Sequence, residues 1–224
     1  MIKKILVSIL FLLAVAANAQ FRWNDVSFYF QGGIYNSSIL NPNYYTEEID
    51  LRIPTVRGSG GVGLLYNFND RYGLSFGGDY ERKGQQFEEF RRGNTVRRDY
   101  TLDYITGNVM FRYFGKAFNV GVGGYYSYKI NEVLHFRNDV QHGTIRFEND
   151  DYFYNDDVGV ILELGWMFDL DYRTKANFSL FGSYGMLELN RSRHQYTITG
   201  DTYTAARNLV VGFKATIFII TQPY

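Results

Sequence analysis

The feature of this sequence that most constrains its fold is a two-residue alternation that runs from Phe118 to Asn131. One set of alternate residues is apolar or aromatic apart from one glycine, whereas the other set holds small and polar residues, one tyrosine and one lysine. A period of two identifies a β-strand, because successive side chains of a strand point to opposite faces. The stretch from Asp103 to Tyr113 alternates in the same way, and Phe114–Ala117 connects the two. The pattern predicts a hairpin of two long strands.

The length and the polar face of these strands indicate a membrane barrel. Strands of soluble proteins average about 5–6 residues, whereas a tilted strand that crosses a bilayer needs about 9–11. A half-buried sheet of a soluble protein turns a face rich in Lys, Glu and Asp to water, but here that face holds mainly Gly, Asn, Ser and Tyr. Small side chains suit the interior of a narrow closed barrel. We therefore expect the apolar face to contact lipid and the small polar face to line the interior.

The same alternation recurs along the chain and predicts an all-β fold, a transmembrane antiparallel up-and-down β-barrel of eight strands. Short turns alternate with long loops, and aromatic residues gather at both ends of the apolar faces, as expected for two membrane interfaces. Because the short turns lie at the end that carries both termini, we expect both mature termini to be periplasmic. The predicted strands are about Val26–Asn36, Arg57–Phe68, Tyr72–Gly84, Asp103–Tyr113, Phe118–Asn131, Asp157–Asp169, Lys175–Leu189 and Arg207–Ile220.

Charged residues of both signs lie on the interior parity, and in a barrel of this size they must pair with one another. Glu163 and Lys214 each lie about six residues from a strand end, so we expect them to meet across the interior with Tyr125 or Asn108 beside them. The predicted lumen charge network comprises Asp79, Glu81, Arg112, Lys129, Glu163 and Lys214. The residues predicted to face lipid include Val120, Val122, Val160, Leu162, Leu180 and Val211.

Strand-forming residues continue beyond the predicted membrane band. Phe87–Tyr100, Val133–Phe153 and His194–Thr204 are rich in Thr, Tyr, Phe and Val around glycine-containing tips. Since strand propensity does not stop at the membrane surface, we expect these loops to extend as β-hairpins above the outer leaflet.

Residues 1–19 form a predicted signal peptide that precedes a single barrel domain, residues 20–224. Lys3 and Lys4 supply the basic region, Ile5–Ala17 the apolar region, and Ala17-Asn18-Ala19 the small-x-small cleavage site. The mature chain is then expected to begin at Gln20. An N-terminal anchor helix is the alternative interpretation, but the apolar stretch is shorter than the roughly 20 residues that a spanning helix needs.

The composition excludes several classes of protein. Removing Lys3 and Lys4 leaves 21 basic and 23 acidic residues, a net charge of −2, which argues against nucleic-acid binding. The chain has no cysteine, so it forms no disulfide and carries no lipid on a cysteine. We expect no cofactor and a monomer, and entry into a membrane by strands alone.

Several short motifs along the chain follow a shared pattern of strand, glycine and aromatic residues. They are Val62–Lys83 with its Glu81-Arg82-Lys83-Gly84 exit, Leu102-Asp103-Tyr104-Ile105, Phe111-Arg112-Tyr113-Phe114, Gly121–Tyr128, Val158–Phe168 and Arg207-Asn208. Together they resemble a known family, the outer-membrane β-barrel proteins common in Bacteroidota, often labelled porin-family or PorT-like. The resemblance covers nearly all of the mature chain and implies an eight-stranded barrel in the cell outer membrane, and it supplies no catalytic residues to carry over. Gly212–Ile217 resembles the C-terminal signal that the barrel assembly machinery recognises, although the chain continues to Tyr224.

One candidate for catalysis stands in the last loop. Ser192 and His194 share a strand parity with Glu188, so the three could face the same side and act as a nucleophile, a base and an acid if the strand continues. Such a set at the rim of a barrel would suit a hydrolase acting on lipid A. Ser and His in polar loops are usually solvated, so we predict that the protein is not an enzyme.

Two charged clusters offer binding hypotheses. An acidic cluster in the third long loop could bind Ca²⁺, or Mg²⁺ bridging to lipopolysaccharide phosphates, although its spacing is that of ordinary loops. A basic cluster in the second loop could contact anionic headgroups, or pair with its own Glu88 and Glu89. The acidic cluster comprises Glu148, Asp150, Asp151, Asp156 and Asp157, and the basic cluster Arg91, Arg92, Arg97 and Arg98.

The sequence favours an outer-membrane barrel with a structural or interaction role, a lumen filled by side chains, and long extracellular loops. The expected partners are outer-membrane lipid and lipopolysaccharide, together with the barrel assembly machinery during insertion. A narrow porin-like pore for small solutes and a lipid A-modifying enzyme are the alternatives. A secreted lipocalin-like barrel would instead place the apolar residues inside.

Overall fold

The computed structural model of the chain describes residues 26–40, 50–91, 94–138, 143–148, 153–189 and 206–221, so the predicted signal peptide lies outside the described residues. In the described ranges, no helix is long and apolar enough to cross a membrane. The strands belong to one antiparallel sheet. They are β1 (Val26–Leu40), β2 (Asp50–Ile53), β3 (Thr55–Asn67), β4 (Tyr72–Arg91), β5 (Asn94–Phe114), β6 (Phe118–Asn138), β7 (Gly143–Glu148), β8 (Asp156–Asp171), β9 (Thr174–Gly185) and β10 (Arg207–Ile220).

Eight of these strands close into a barrel. The ring runs β1, β3, β4, β5, β6, β8, β9, β10, each paired with its neighbours, and β10 pairs with β1 over 14 residue pairs to complete it. The two short strands, β2 and β7, pair with β4 and β6 and add to the sheet beside them. The predicted eight-stranded antiparallel up-and-down barrel is therefore confirmed.

Alternation along each strand decides which side chains enter the barrel. Buried and exposed residues alternate without a break from Asp157 to Trp166 in β8, and β10 shows the same pattern. The side chains predicted to face lipid lie on the exposed parity, with Leu162 61% and Val122 54% exposed, while Val120 is half-buried. An apolar exterior around a polar interior inverts the arrangement of a soluble protein and suits a lipid solvent.

Several strands run further than the alternation predicted. β1 continues to Leu40, and β4 continues to Arg91, seven residues beyond the predicted end at Gly84. The ladder between β4 and β5 extends to the pair Arg91–Asn94. The β-branched and aromatic residues of these segments sustain strand pairing beyond the predicted band. The predicted hairpin at residues 194–204 lies outside the described residues.

A bend in β4 brings that strand towards β1. The β3–β4 ladder stops at Ser59–Glu81. At Gly84, φ is +130°, a conformation open mainly to glycine. The Gly84 N–H donates to Ser37 Oγ at 3.0 Å, and the next residue, Gln85, accepts from the Ile39 N–H at 2.9 Å. The bend therefore ties the loop end of β4 to β1.

Apolar clusters lie at both ends of the interior. Tyr29, Leu65 and Phe218 form one cluster towards the short turns. The largest cluster lies at the opposite end, where the long connections are. It comprises Ile39, Leu102, Tyr104, Phe153, Leu189 and Ala206. The polar and charged side chains lie mainly between these two ends.

Candidate functional site

Charged side chains converge inside the barrel, which makes the interior the candidate functional site. All six residues of the predicted lumen network have inward-facing side chains. Five of them are at most 8% exposed, and the side chain of the sixth, Glu81, is 18% exposed. Charges this deeply buried are stable only when they are paired and hydrogen-bonded.

Glu163 is the centre of one network. Arg112 on β5 donates through Nη1 and Nη2 to the two carboxylate oxygens of Glu163 on β8, at 2.9 and 3.3 Å. Lys214 on β10 lies with its Nζ 3.6 Å from Glu163 Oε2. The structure therefore brings Glu163 and Lys214 together, with Arg112 as the nearer cation. A bidentate guanidinium–carboxylate pair is both strong and directional, and this group links strands across half of the ring.

Neutral side chains complete the hydrogen bonding of this network. Ser75 accepts from Arg112 Nε at 3.0 Å, and Asn177 donates to Glu163 Oε1 at 3.3 Å. The Asn177 carbonyl oxygen in turn accepts from Asn119 at 2.6 Å. Additional hydrogen bonds of this kind are what a buried ion pair needs to offset the loss of hydration.

The predicted neighbours of the Glu163–Lys214 pair lie elsewhere. Tyr125 donates its hydroxyl to Asp157 at 3.1 Å rather than to Glu163. Asn108 donates to Asp79 Oδ2 at 2.6 Å, and Gln31 donates to the other oxygen of Asp79. The prediction of Tyr125 or Asn108 beside Glu163 was therefore wrong, because the strand pattern fixes the face of a residue but not its partner across the barrel.

A second network, which the sequence did not predict, surrounds Lys83 on β4. The Lys83 side chain is 1% exposed, and its Nζ lies 3.1 Å from Glu81 Oε2 and 3.3 Å from Asp157 Oδ2. The rings of Tyr104 and Tyr125 flank the ammonium group, with centroids 5.0 and 4.5 Å away. Lys83 is therefore held by two carboxylates and two aromatic faces at once. Lys83 has the same strand parity as Glu81, which was predicted to face inwards. This shared parity was the sequence signal that could have identified Lys83.

Asp157 belongs to this network and not to a loop. It is fully buried, and it also accepts from Asn208 Nδ2 at 2.8 Å. Asp156 points the other way and accepts from the Tyr126 hydroxyl. The predicted acidic loop cluster is therefore wrong for these two residues, because β8 begins at Asp156 and strand alternation separates them. In the part of the chain that the structure describes, no three acidic or His side chains could hold a metal ion.

Lys129 has its partners at the loop end of the barrel. Its ammonium group pairs with Glu132 and donates to the Phe153 carbonyl oxygen at 2.7 Å. Both charged side chains are buried. Lys129 thus faces the interior, as its strand parity predicted. Its partners lie near the long connections and not across the barrel.

The two ends of the interior differ. A cavity of about 430 Å³ opens at the short turns, with Leu65, Met167 and Phe218 among its apolar lining residues and Lys116 and Asp169 among its polar ones. At the other end, the cluster that includes Leu102 and Tyr104 is fully buried. The interior is thus open at the short turns and filled by apolar side chains at the loop end.

Two of the three residues proposed for catalysis, Ser192 and His194, lie outside the described residues. The third, Glu188, is half-buried in the segment that follows β9. Of the predicted basic cluster, Arg97 contacts Glu88 at 3.2 Å, which matches the hypothesis of a self-paired hairpin.

A closed ring of eight strands with an apolar exterior and a charge-paired interior defines a transmembrane β-barrel. The family model "Outer membrane protein beta-barrel domain" matches residues 16–187, and the chain belongs to this family. The protein is thus a barrel of the outer membrane. No protein of curated function matches the sequence at a significant level.

The chain is similar to several solved structures. Neisserial surface protein A (NspA) matches with a TM-score of 0.44 and 13% identity, over 86% of this chain and 96% of that one. Ail of Yersinia pestis, crystallised with the heparin analogue sucrose octasulfate, matches with a TM-score of 0.40 and 11% identity, over 87% and 99% of the two chains. The outer membrane protease OmpT of Escherichia coli matches with a TM-score of 0.41 and 8% identity, over 87% and 92%. At these values none of the likenesses bears on function.

Proposed function

We propose that this protein is a non-conducting, non-enzymatic barrel of the PorT-like type with a structural or interaction role, whose lumen is filled by its own side chains. The observation that carries the proposal is the bidentate pair of Arg112 and Glu163 with Lys214 beside it. These charged groups occupy the space that a permeating solute would need and satisfy each other rather than water. The Lys83 network and the buried apolar cluster at the loop end support the same conclusion.

The proposed orientation places the short turns in the periplasm and the long hairpins outside the cell. Val26 and Thr221, at the two ends of the barrel chain, are joined at the short-turn end, where Thr221 Oγ1 donates to the Val26 carbonyl oxygen at 2.8 Å. Long loops on the outer side and short turns on the periplasmic side are the common arrangement of bacterial barrels. We propose a monomer, inserted by the barrel assembly machinery and surrounded by lipopolysaccharide, with the extended hairpins available to a partner.

A conductance measurement tests the proposal. The full mature chain is refolded, shown to be folded by its heat-modifiable migration on a gel, and added to a planar bilayer. We expect no steady single-channel current, while a known porin in the same bilayer conducts. A steady current from the folded protein would establish the narrow pore instead. Deacylated lipid A in cells that overproduce the protein would establish the enzyme.

A further inference from the structure

An apolar groove of about 500 Å³ lies on the outer surface of the barrel, across β1, β10, β9 and β8. Two small residues, Gly32 and Ala215, are paired in its floor. Phe178 and Trp166 continue the same row on β9 and β8, and Phe213, which is 66% exposed, stands beside it. Because Gly32 and Ala215 are small, they leave the groove between the large apolar side chains around them.

An outward-facing arginine, Arg207, lies on the same strand at its loop end. Arg207 donates from Nη1 to the Tyr184 hydroxyl at 2.8 Å, and its guanidinium carbon lies 5.9 Å from the centre of the Tyr184 ring. Its Nε is buried without a hydrogen-bond partner, and it makes no ion pair with any residue that the structure describes. Among the described residues, no carboxylate therefore neutralises its charge.

A second outward arginine offers an internal comparison. Arg82 on β4 also contacts an outward tyrosine, with Nη2 3.3 Å from the Tyr80 hydroxyl. Its charge is already matched, because Nε donates to Asp103 at 2.7 Å. The two arginines share a similar aromatic setting, but among the described residues only Arg82 has a carboxylate partner.

The spacing of Arg207 and the groove fits a lipid. Phe213 and Ala215 lie six and eight residues further along β10. At a rise of about 3.3 Å and a tilt of about 40°, this is about 15–20 Å along the membrane normal. One leaflet contributes about half of the roughly 30 Å hydrocarbon core. An acyl chain whose headgroup is held at Arg207 therefore extends to the depth of the groove.

We propose that Arg207 and the groove form a single site for a phosphate-bearing glycolipid of the outer leaflet, lipopolysaccharide. A phosphate oxygen accepts from the free guanidinium N–H groups, which suit phosphate geometry, and one acyl chain lies over Gly32 and Ala215. The proposal rests on the orientation given under Proposed function, because the Arg207 end of β10 must face outwards.

The experiment measures lipid that stays with the protein. The full chain is produced in the outer membrane of a Gram-negative host, extracted in mild detergent and purified. Mass spectrometry then counts lipopolysaccharide and phosphatidylglycerol per barrel separately. We expect near-stoichiometric lipopolysaccharide on the native protein and about fivefold less on Arg207→Gln, the equivalent of about 1 kcal/mol for one charge at the membrane surface.

Two variants fill the groove, and each set has a matched control. Gly32→Leu and Ala215→Phe are expected to lower lipopolysaccharide to a similar degree with Arg207 intact. An added Cβ at Gly32 would lie 3.8 Å from its nearest neighbour, an ordinary contact, so Gly32→Leu fits the fold. Gly78→Leu is the control on the other side of the barrel, where an added Cβ meets nothing within 4 Å. Arg82→Gln is the control for charge, and both controls should retain lipid at the native level.

Three other outcomes would overturn the proposal. Retention of phosphatidylglycerol in place of lipopolysaccharide would assign the site to a phospholipid. Equal loss of lipid in Arg82→Gln and Arg207→Gln would mean a non-specific surface charge, and a dimer that Gly32→Leu dissociates would make a second copy the occupant. Heat-modifiable migration shows that each variant is folded. A channel current in the same preparations would refute the filled lumen and leave the lipid counts unaffected.

Discussion

Glu163 is the centre of the charge network that joins β5, β8 and β10. Its carboxylate accepts from Arg112 and Asn177 and lies beside Lys214, so its removal leaves two buried cations without their counter-ion. Removing one member of a buried ion pair typically costs about 3–5 kcal/mol, whereas replacing the whole pair can be neutral. The energetic role of this side chain is therefore to compensate charge rather than to fill space.

We predict that Glu163→Gln lowers the free energy of unfolding by about 3 kcal/mol or more, and that adding Arg112→Met recovers much of the loss. Adding Lys214→Met instead should recover less, because Lys214 Nζ lies 3.6 Å from the Glu163 carboxylate, further than the bidentate Arg112. Urea unfolding in lipid vesicles measures all of these variants. Additive effects of Glu163→Gln and Arg112→Met would show that the pair is solvated in an open channel.

The exposed apolar residues lead to a prediction about lipid contact. Val160 is 49% exposed on the outer face of β8. We predict that Val160→Arg destabilises the barrel by about 2–4 kcal/mol in vesicles, as for a cation near the bilayer midplane. Leu170→Arg, on the same strand next to the short turn, should cost about 0–1 kcal/mol because it lies near an interface. A harmless Val160→Arg alongside a Gly159→Arg that abolishes folding would indicate a barrel with its apolar side inwards.

Strand alternation predicted the face of each residue better than its contacts. Lys214 and Glu163 were assigned to the interior from parity alone, and both side chains are there. Parity says nothing about which residues meet across the interior, since strand tilt and shear decide that, and so Arg112 was not recognised as the main partner of Glu163. Asp157 was misassigned because consecutive aspartates are typical of loops, whereas here one of them is buried beside Lys83.

At the scale of the strand, β4 depends on one glycine. Gly84 has a φ of +130°, and an added Cβ would lie 1.9 Å from the Tyr100 carbonyl oxygen. The alternation pattern did not identify this bend, because the predicted strand ended at Gly84. The bend allows β4 to leave β3 and to hydrogen-bond with β1 before it pairs with β2.

We predict that Gly84→Ala destabilises the barrel by at least about 1–3 kcal/mol, the usual cost of a strained backbone conformation. Heat-modifiable migration and urea unfolding in vesicles provide the measurement. Gly78→Ala is the matched control on the same strand, since its Cβ would point into open space outside the barrel. Equal stability of the two variants would mean that Gly84 does not need its left-handed conformation.

At the scale of the whole molecule, the barrel wall is uneven in height. β4, β5 and β6 are 20, 21 and 21 residues long, whereas β9 has 12 residues and β10 has 14. The strand pattern predicted that the loops on this side continue as hairpins, and the ladders extend accordingly. How far each ladder runs depends on pairing between neighbours, which a single strand's sequence does not specify.

We predict slow backbone hydrogen exchange in residues 86–91 and 94–99, because these residues are paired with one another in the β4–β5 ladder. The short turn at residues 69–71 should exchange rapidly and serves as the reference. Exchange followed by mass spectrometry on the folded protein in detergent gives the rates. Rapid exchange throughout both segments would show that the tall side of the barrel is not a stable hairpin.

The seam between β1 and β10 joins the ends of the chain through 14 residue pairs, whereas β3 and β4 share only nine. The ring is therefore extensively paired where its first and last strands meet. A circular permutant that is linked from Thr221 to Val26 and opened in the turn at residues 69–71 would keep every ladder of its parent. In such a molecule the first strand to be made would be β4, which is the third of the eight barrel strands in the parent.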